Sequence, residues 1–124
     1  MPEKLNWRYS VQVAGGPTVS GAGALEIEAY EKLSVTVQAS GTLDVEIVPG
    51  TGASLQVLVI SPATPGPDLS YDVSGTPAVL DGPHVLIGAG AVGLLAATVG
   101  KLTFKNDGSA DAALSILAGR DATP

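Results

Sequence analysis

"LSVTVQASGTLDVEIV", residues 33–48, alternates apolar and polar side chains in two runs separated by a short break. In the first run Leu33, Val35, Val37 and Ala39 point one way and Ser34, Thr36 and Gln38 the other; in the second, Leu43, Val45 and Ile47 oppose Asp44 and Glu46. A period of two is that of a strand with one face buried. Directly opposed residues on paired strands share a face. Pairing Val37 with Val45 and Val35 with Ile47 therefore needs an odd loop, Ser40-Gly41-Thr42, as a three-residue hairpin with glycine near the positive-φ position. If the two strands lie in opposite sheets, the same residues form an arch instead, and the sequence leaves both arrangements open.

Working outward, turn signals recur at short and fairly even intervals: "GGP" at 15–17, "GAG" at 21–23, "SG" at 40–41, "PGTG" at 49–52, "PATPGP" at 62–67, "GTP" at 75–77, "DGP" at 81–83 and "NDG" at 106–108. Segments of about five to ten residues lie between them, the spacing of an antiparallel sandwich or barrel. "SLQVLVIS", 54–61, is apolar on both faces because of Leu58 and Ile60, as expected of a central or interface strand. "KLTFK" alternates cleanly, and the "NDG" behind it reads as a hairpin signal. The prolines at 62, 65 and 67 make "PATPGP" semi-rigid, and it reads as a crossover within one domain spanning 1–124.

Two segments admit two readings. "ALEIEAYEKL", 24–33, is a strand burying Leu25, Ile27 and Ala29, or a short helix burying Leu25, Ala29 and Leu33. "SADAALSILAGR", 109–120, offers Ser109 or Asp111 as a helix N-cap and Gly119 as a C-cap, against a strand. The strand is the expectation for both.

The composition narrows the function classes. With 12 acidic and 6 basic residues the net charge is −6 and no basic cluster appears, so nucleic acid is not an expected partner. The absence of cysteine removes disulfides, thiolate metal sites and cysteine nucleophiles. "MPEKLNWRYS" has no apolar h-region, so no secretory signal is expected. The uncharged run from Val85 to Val99 is shorter than the roughly 20 residues of a membrane-spanning helix. The expectation is thus no membrane partner and a cytoplasmic or virion-associated chain. Only 15% of residues are charged while 45% are apolar, against about 25% charged in typical soluble domains. Surface so poor in charge is expected to be hidden in a homo-oligomer.

"PHVLIGAGAVGLLAATVGK", 83–101, places Gly88, Gly90 and Gly93 at GxGxxG spacing behind an apolar run, and Asp107 follows Gly88 by 19 positions. The stretch resembles the dinucleotide-binding fingerprint of Rossmann-type dehydrogenases, which implies pyrophosphate on the three glycines and ribose on Asp107. Its context opposes that reading. Val85 to Asp107 is shorter than the roughly 30 residues of a βαβ unit, and "AVGLLAATV" has no polar face. The expected alternative is a buried strand "HVLIG", a glycine-rich bend and a second apolar strand "VGLLAATVG", with no cofactor.

Other candidates are isolated. His84 is the one histidine and stands beside Pro83 at a turn, without a second imidazole or thiol as co-ligand, so a structural role is expected. Glu26 with Glu28 and Asp44 with Glu46 read as solvated strand faces rather than calcium ligands or a glycosidase pair. Trp7, Tyr9, Tyr30 and Tyr71 read as core or interface anchors, with sugar stacking as the alternative.

These readings converge on an all-β antiparallel sandwich, with a jelly roll among the arrangements open to it and at most one or two short helices. The expected function is that of a non-enzymatic structural or assembly subunit in a homo-oligomer, of capsid, cement or appendage type. Leu58, Ile60, Leu94 and Leu95 are its expected interface residues. A ligand-binding β module, for instance for carbohydrate, is the alternative, and a dinucleotide-binding protein stands third.

Overall fold

The computed structural model describes residues 3–47, 54–73, 75, 77–95 and 101–121. Ten strands and one helix follow one another: β1 (Glu3–Gln12), β2 (Thr18–Ile27), β3 (Ala29–Val37), β4 (Gly41–Glu46), β5 (Ser54–Pro62), β6 (Leu69–Asp72), β7 (Pro77–Val79), β8 (His84–Ile87), α1 (Ala89–Val92), β9 (Lys101–Asn106) and β10 (Ala112–Asp121). β1 and β2 form a two-stranded ribbon. The others form two four-stranded sheets, ordered β3-β10-β5-β8 and β4-β9-β6-β7, with every pairing antiparallel. The fold is an all-β sandwich, and its strand order has a simple origin. The strand pairs β3–β10, β4–β9, β5–β8 and β6–β7 are the rungs of one long antiparallel strip wound around the core, which is the jelly-roll arrangement.

The inward faces of the two sheets supply the core. Leu58 and Ile60 of β5 and Leu114 and Ile116 of β10 meet Leu69 and Tyr71 of β6 and Leu102 and Phe104 of β9, all buried. Most of this core is small and aliphatic, as the scarcity of aromatic residues requires. Tyr71 and Phe104 are the bulky exceptions and pack against each other with ring centroids 5.9 Å apart.

The first two alternating runs, β3 and β4, belong to different sheets, so residues 38–40 are an arch. The tight bend falls on Ser40, whose φ of 56° is left-handed, while the Gly41 amide donates to the Gln38 carbonyl at 2.9 Å. Residue 40 rather than the glycine carries the unusual backbone. "NDG" likewise forms no hairpin: residues 107–111 cross from β9 in one sheet to β10 in the other.

Asn106 explains this second crossing. It is buried, its Nδ2 donates to the carbonyls of Val37 at 3.1 Å and Ala110 at 2.8 Å, and its Oδ1 accepts from the Gly108 amide at 2.9 Å. One side chain thus satisfies the turn and pins it to the end of β3. Asp111 adds a second tie by accepting from the Ala39 amide at 2.9 Å. "PATPGP" also crosses between sheets, from β5 to β6, as expected. "PGTG" lies outside the described residues.

Both ambiguous segments are strands. Residues 24–33 span the β2–β3 junction and 112–121 form β10. "GAG" at 21–23 is no turn but the middle of β2. The turn between β1 and β2 is "GGP", with Gly15 at φ 73° and the Val13 amide bonded to the Pro17 carbonyl at 3.1 Å.

Candidate functional site

The β1–β2 ribbon pairs ten residues with ten, from Glu3 opposite Ile27 to Gln12 opposite Thr18. Opposed residues share a face, so Leu5 with Leu25, Trp7 with Gly23, Tyr9 with Gly21 and Val11 with Val19 lie on one side, while Lys4 with Glu26, Arg8 with Ala22 and Ser10 with Ser20 lie on the other. The ribbon is amphipathic, and its apolar side is built from rings laid over glycines. A Cβ on Gly23 would stand 2.7 Å from the Trp7 ring and one on Gly21 2.9 Å from the Tyr9 ring. Glycine weakens a strand because it has nothing to pack, and a cross-strand aromatic covering it restores that contact. The two rings are nearly parallel, 11° apart, with centroids separated by 6.0 Å.

The chain covers neither side of the outer part of this ribbon. Every residue from Arg8 to Ser20 is exposed. Val11, Val13 and Val19 retain 66%, 65% and 64% exposure, and no residue from Tyr9 to Leu25 carries a charge. Only the base is anchored. Ile27 is buried beside Gly119, where a Cβ would approach Ile27 Cδ1 to 2.9 Å and Val57 Cγ1 to 2.7 Å, and the Glu28 amide donates to the Arg120 carbonyl at 2.9 Å.

The chain bends at Glu28, where β2 gives way to β3, and Ile27 of the ribbon's apolar side lies over Gly119. As a result the apolar side of the ribbon runs on into the outer face of the β3-β10-β5-β8 sheet. Leu5, Ile27, Tyr30 and Leu117, with Glu3 and Lys4, line one shallow groove at the junction, of about 300 Å³. That outer face is itself poor in charge. Tyr30 and Val85 are 57% and 51% exposed, Ser34, Thr36 and Ser61 are exposed, and Val59, Ile87 and Leu117 are half-buried. Lys32 is charged and exposed on it, and Asp121 closes β10 in register with Ser54. The outer face of the other sheet is the reverse, with Asp44 4.0 Å from Lys101 and Glu46 opposite Lys101 in register.

The expected interface residues divide. Leu58 and Ile60 are fully buried within the chain's own core, so in place of an interface they belong to a central strand. Leu95 is half-buried against that core, whereas Leu94 is 82% exposed. Sequence reasoning missed the ribbon because its glycines were taken for a turn, although the alternation of Leu5, Trp7, Tyr9 and Val11 was the signal that could have found it.

Gly88 and Gly93 flank α1, which has four residues, and Gly90 lies within it. Gly88, at φ 97°, is its N-cap. The strand before them, β8, runs antiparallel to β5. The Gly88 amide bonds to the Gln56 carbonyl near Gly119, while Asp107 lies in the arch leading into Ala112 at the other end of β10. The four residues of the fingerprint are therefore not brought together, because the sheet they serve is antiparallel. The expected strand "VGLLAATVG" is corrected over its described part to α1 and the turn after it, and residues 96–100 lie outside the described residues.

His84 stands on β8 with its Nδ1 2.8 Å from the Tyr71 hydroxyl, and the two rings meet edge to face. This bond joins the two sheets across the sandwich. Burial pushes the Tyr71 phenol above its ordinary pKa, so it stays protonated and available for that bond. No group of three or more metal-ligating side chains occurs among the described residues. No described helix is long and apolar enough to cross a membrane. Comparison with protein-family models, with curated proteins and with solved structures found no match.

Proposed function

We propose that the chain is a non-enzymatic structural subunit that assembles into a closed homo-oligomer, of the kind used in a capsid, a cement layer or an appendage. One observation carries this reading: an amphipathic ribbon whose apolar side the chain itself does not cover. A two-stranded ribbon in water is marginally stable at best, and contiguous apolar surface on a soluble chain marks an interface. Light scattering or sedimentation over a range of concentrations tests it. A particle of several chain masses that persists on dilution is expected, and a monomer at the highest soluble concentration overturns it.

A second reading has its own support. Trp7 and Tyr9 present two nearly parallel rings on one side of the ribbon, an arrangement suited to stacking sugar rings. Tryptophan fluorescence titrated with a panel of oligosaccharides tests it. Saturable quenching that Trp7→Ala abolishes favours this reading, and an unchanged spectrum throughout the panel removes it.

A further inference from the structure

We infer that the β1–β2 ribbon of one copy lies, apolar side down, across the outer face of the β3-β10-β5-β8 sheet of a second copy, and that the second copy returns the same contact. This rests on the reading of the chain as an assembly subunit and names the surface through which it assembles.

The two surfaces match in dimension and chemistry. A strand rises about 3.3 Å per residue, so the ten-residue strands of the ribbon and the ten-residue β10 are each about 33 Å long. Charge is sparse on both, with Glu3 opposite Ile27 at the base of the ribbon's apolar side and Lys32 on the sheet, while the chain as a whole carries −6. Copies that repel each other through their net charge can approach closely through the one side that carries almost none. Nothing on either surface offers an acidic or basic partner a set of ion pairs.

Geometry then favours reciprocity. The ribbon and the sheet form one continuous side of the subunit because Ile27 is seated on Gly119 and Leu5 borders Leu117. A two-fold axis near that junction places each ribbon over the other sheet, the self-complementary arrangement of an isologous interface. A ribbon two strands wide covers about 10 Å by 33 Å. Two such contacts, counted on both partners, bury about 1,300 Å², within the range of stable interfaces.

The test uses the full chain and two sets of substitutions at exposed positions. Val11→Glu with Val19→Glu places charge on the ribbon, and Ser34→Glu with Val85→Glu places it on the sheet. Circular dichroism confirms that each variant keeps its strands, and Val11→Ser with Val19→Ser serves if the glutamates disturb the ribbon. Each set alone is expected to weaken self-association at least tenfold in sedimentation. Mixing the two variants is expected to restore a heterodimer, because one ribbon without substitution still meets one sheet without substitution.

An oligomer that survives the ribbon substitutions overturns this interface while leaving the assembly reading in place. Loss of association in both variants without recovery on mixing also overturns it, since ribbon would then meet ribbon. A parent chain that is monomeric defeats the assembly reading itself. If that monomer floats with neutral phosphatidylcholine vesicles and the ribbon variant does not, the apolar side belongs to a lipid surface.

Discussion

Tyr71 and Asn106 show how few polar side chains this core contains and how much each one holds. The Tyr71 hydroxyl is bound to His84 Nδ1, and burial raises the phenol pKa above its ordinary value near 10. Because the folded value is the higher one, this group's contribution to stability is fully present below about pH 10 and is lost as pH rises through the folded pKa. Urea denaturation between pH 8 and pH 11 is expected to show that alkaline loss, and Tyr71→Phe is expected to flatten it. Asn106 satisfies three backbone groups with one amide. Asn106→Ala strands those groups in a site that is 3% exposed, at a cost of about 2–4 kcal/mol. A thermal melt lowered by roughly 10 °C is expected, with the strand spectrum at 20 °C unchanged. A drop of only a degree or two would mean that water replaces the amide.

At the scale of elements, what the sequence makes legible is alternation, and what it hides is partnership. Leu33 to Ala39 and Leu43 to Ile47 declare two strands and their inward faces, but nothing local decides between a hairpin and an arch, since the same short link serves either. The decision is made at a distance, by β10 pairing with β3 and β9 with β4. "NDG" misleads for the same reason: its hairpin preference is overruled by Asn106, which reaches back to Val37, 69 positions away. The glycines of 21–23 mislead because a glycine under a ring and a glycine in a turn look alike in sequence. Residues 24–33 admit a helix because Leu25, Ala29 and Leu33 recur four positions apart. Around α1 the glycines can be told apart by substitution. Gly88→Ala meets no atom within 4 Å but sits at φ 97°, so it is expected to destabilise by about 1–3 kcal/mol. Gly90→Ala also meets open space, in a helix, and is expected to be neutral or slightly stabilising. Chemical denaturation of the two variants checks this, and equal losses at both positions would point to a constraint on Gly90 outside the fold.

On the scale of the whole molecule, the two sheets divide the surface between them: β4-β9-β6-β7 turns charge outward, and the outer face of β3-β10-β5-β8 together with the apolar side of the ribbon turns outward little. The scarcity of charge in the sequence is therefore not spread evenly but gathered on one side, which composition alone cannot reveal. Leu58 and Leu94 separate the two requirements this places on apolar residues. Leu58 is completely buried between the sheets. Leu58→Glu puts an unpaired carboxylate there and also removes about 1.5–3 kcal/mol of apolar burial, a loss comparable to the total stability of a small domain. The subunit is expected to unfold, read as a collapsed β spectrum and loss of any cooperative melt. Leu94 is 82% exposed on the turn after α1, which packs on β5 and β8. Leu94→Glu therefore has no core contact to break, and its melt is expected to stay within a few degrees of the parent. With Val92 and Leu95 packed on the core, Leu94 points away from it as a candidate contact, and light scattering is expected to show a weakened assembly of folded chains. A full-sized assembly with glutamate at 94 would take this leucine out of the interface and confine the contact to the ribbon and the strands beneath it.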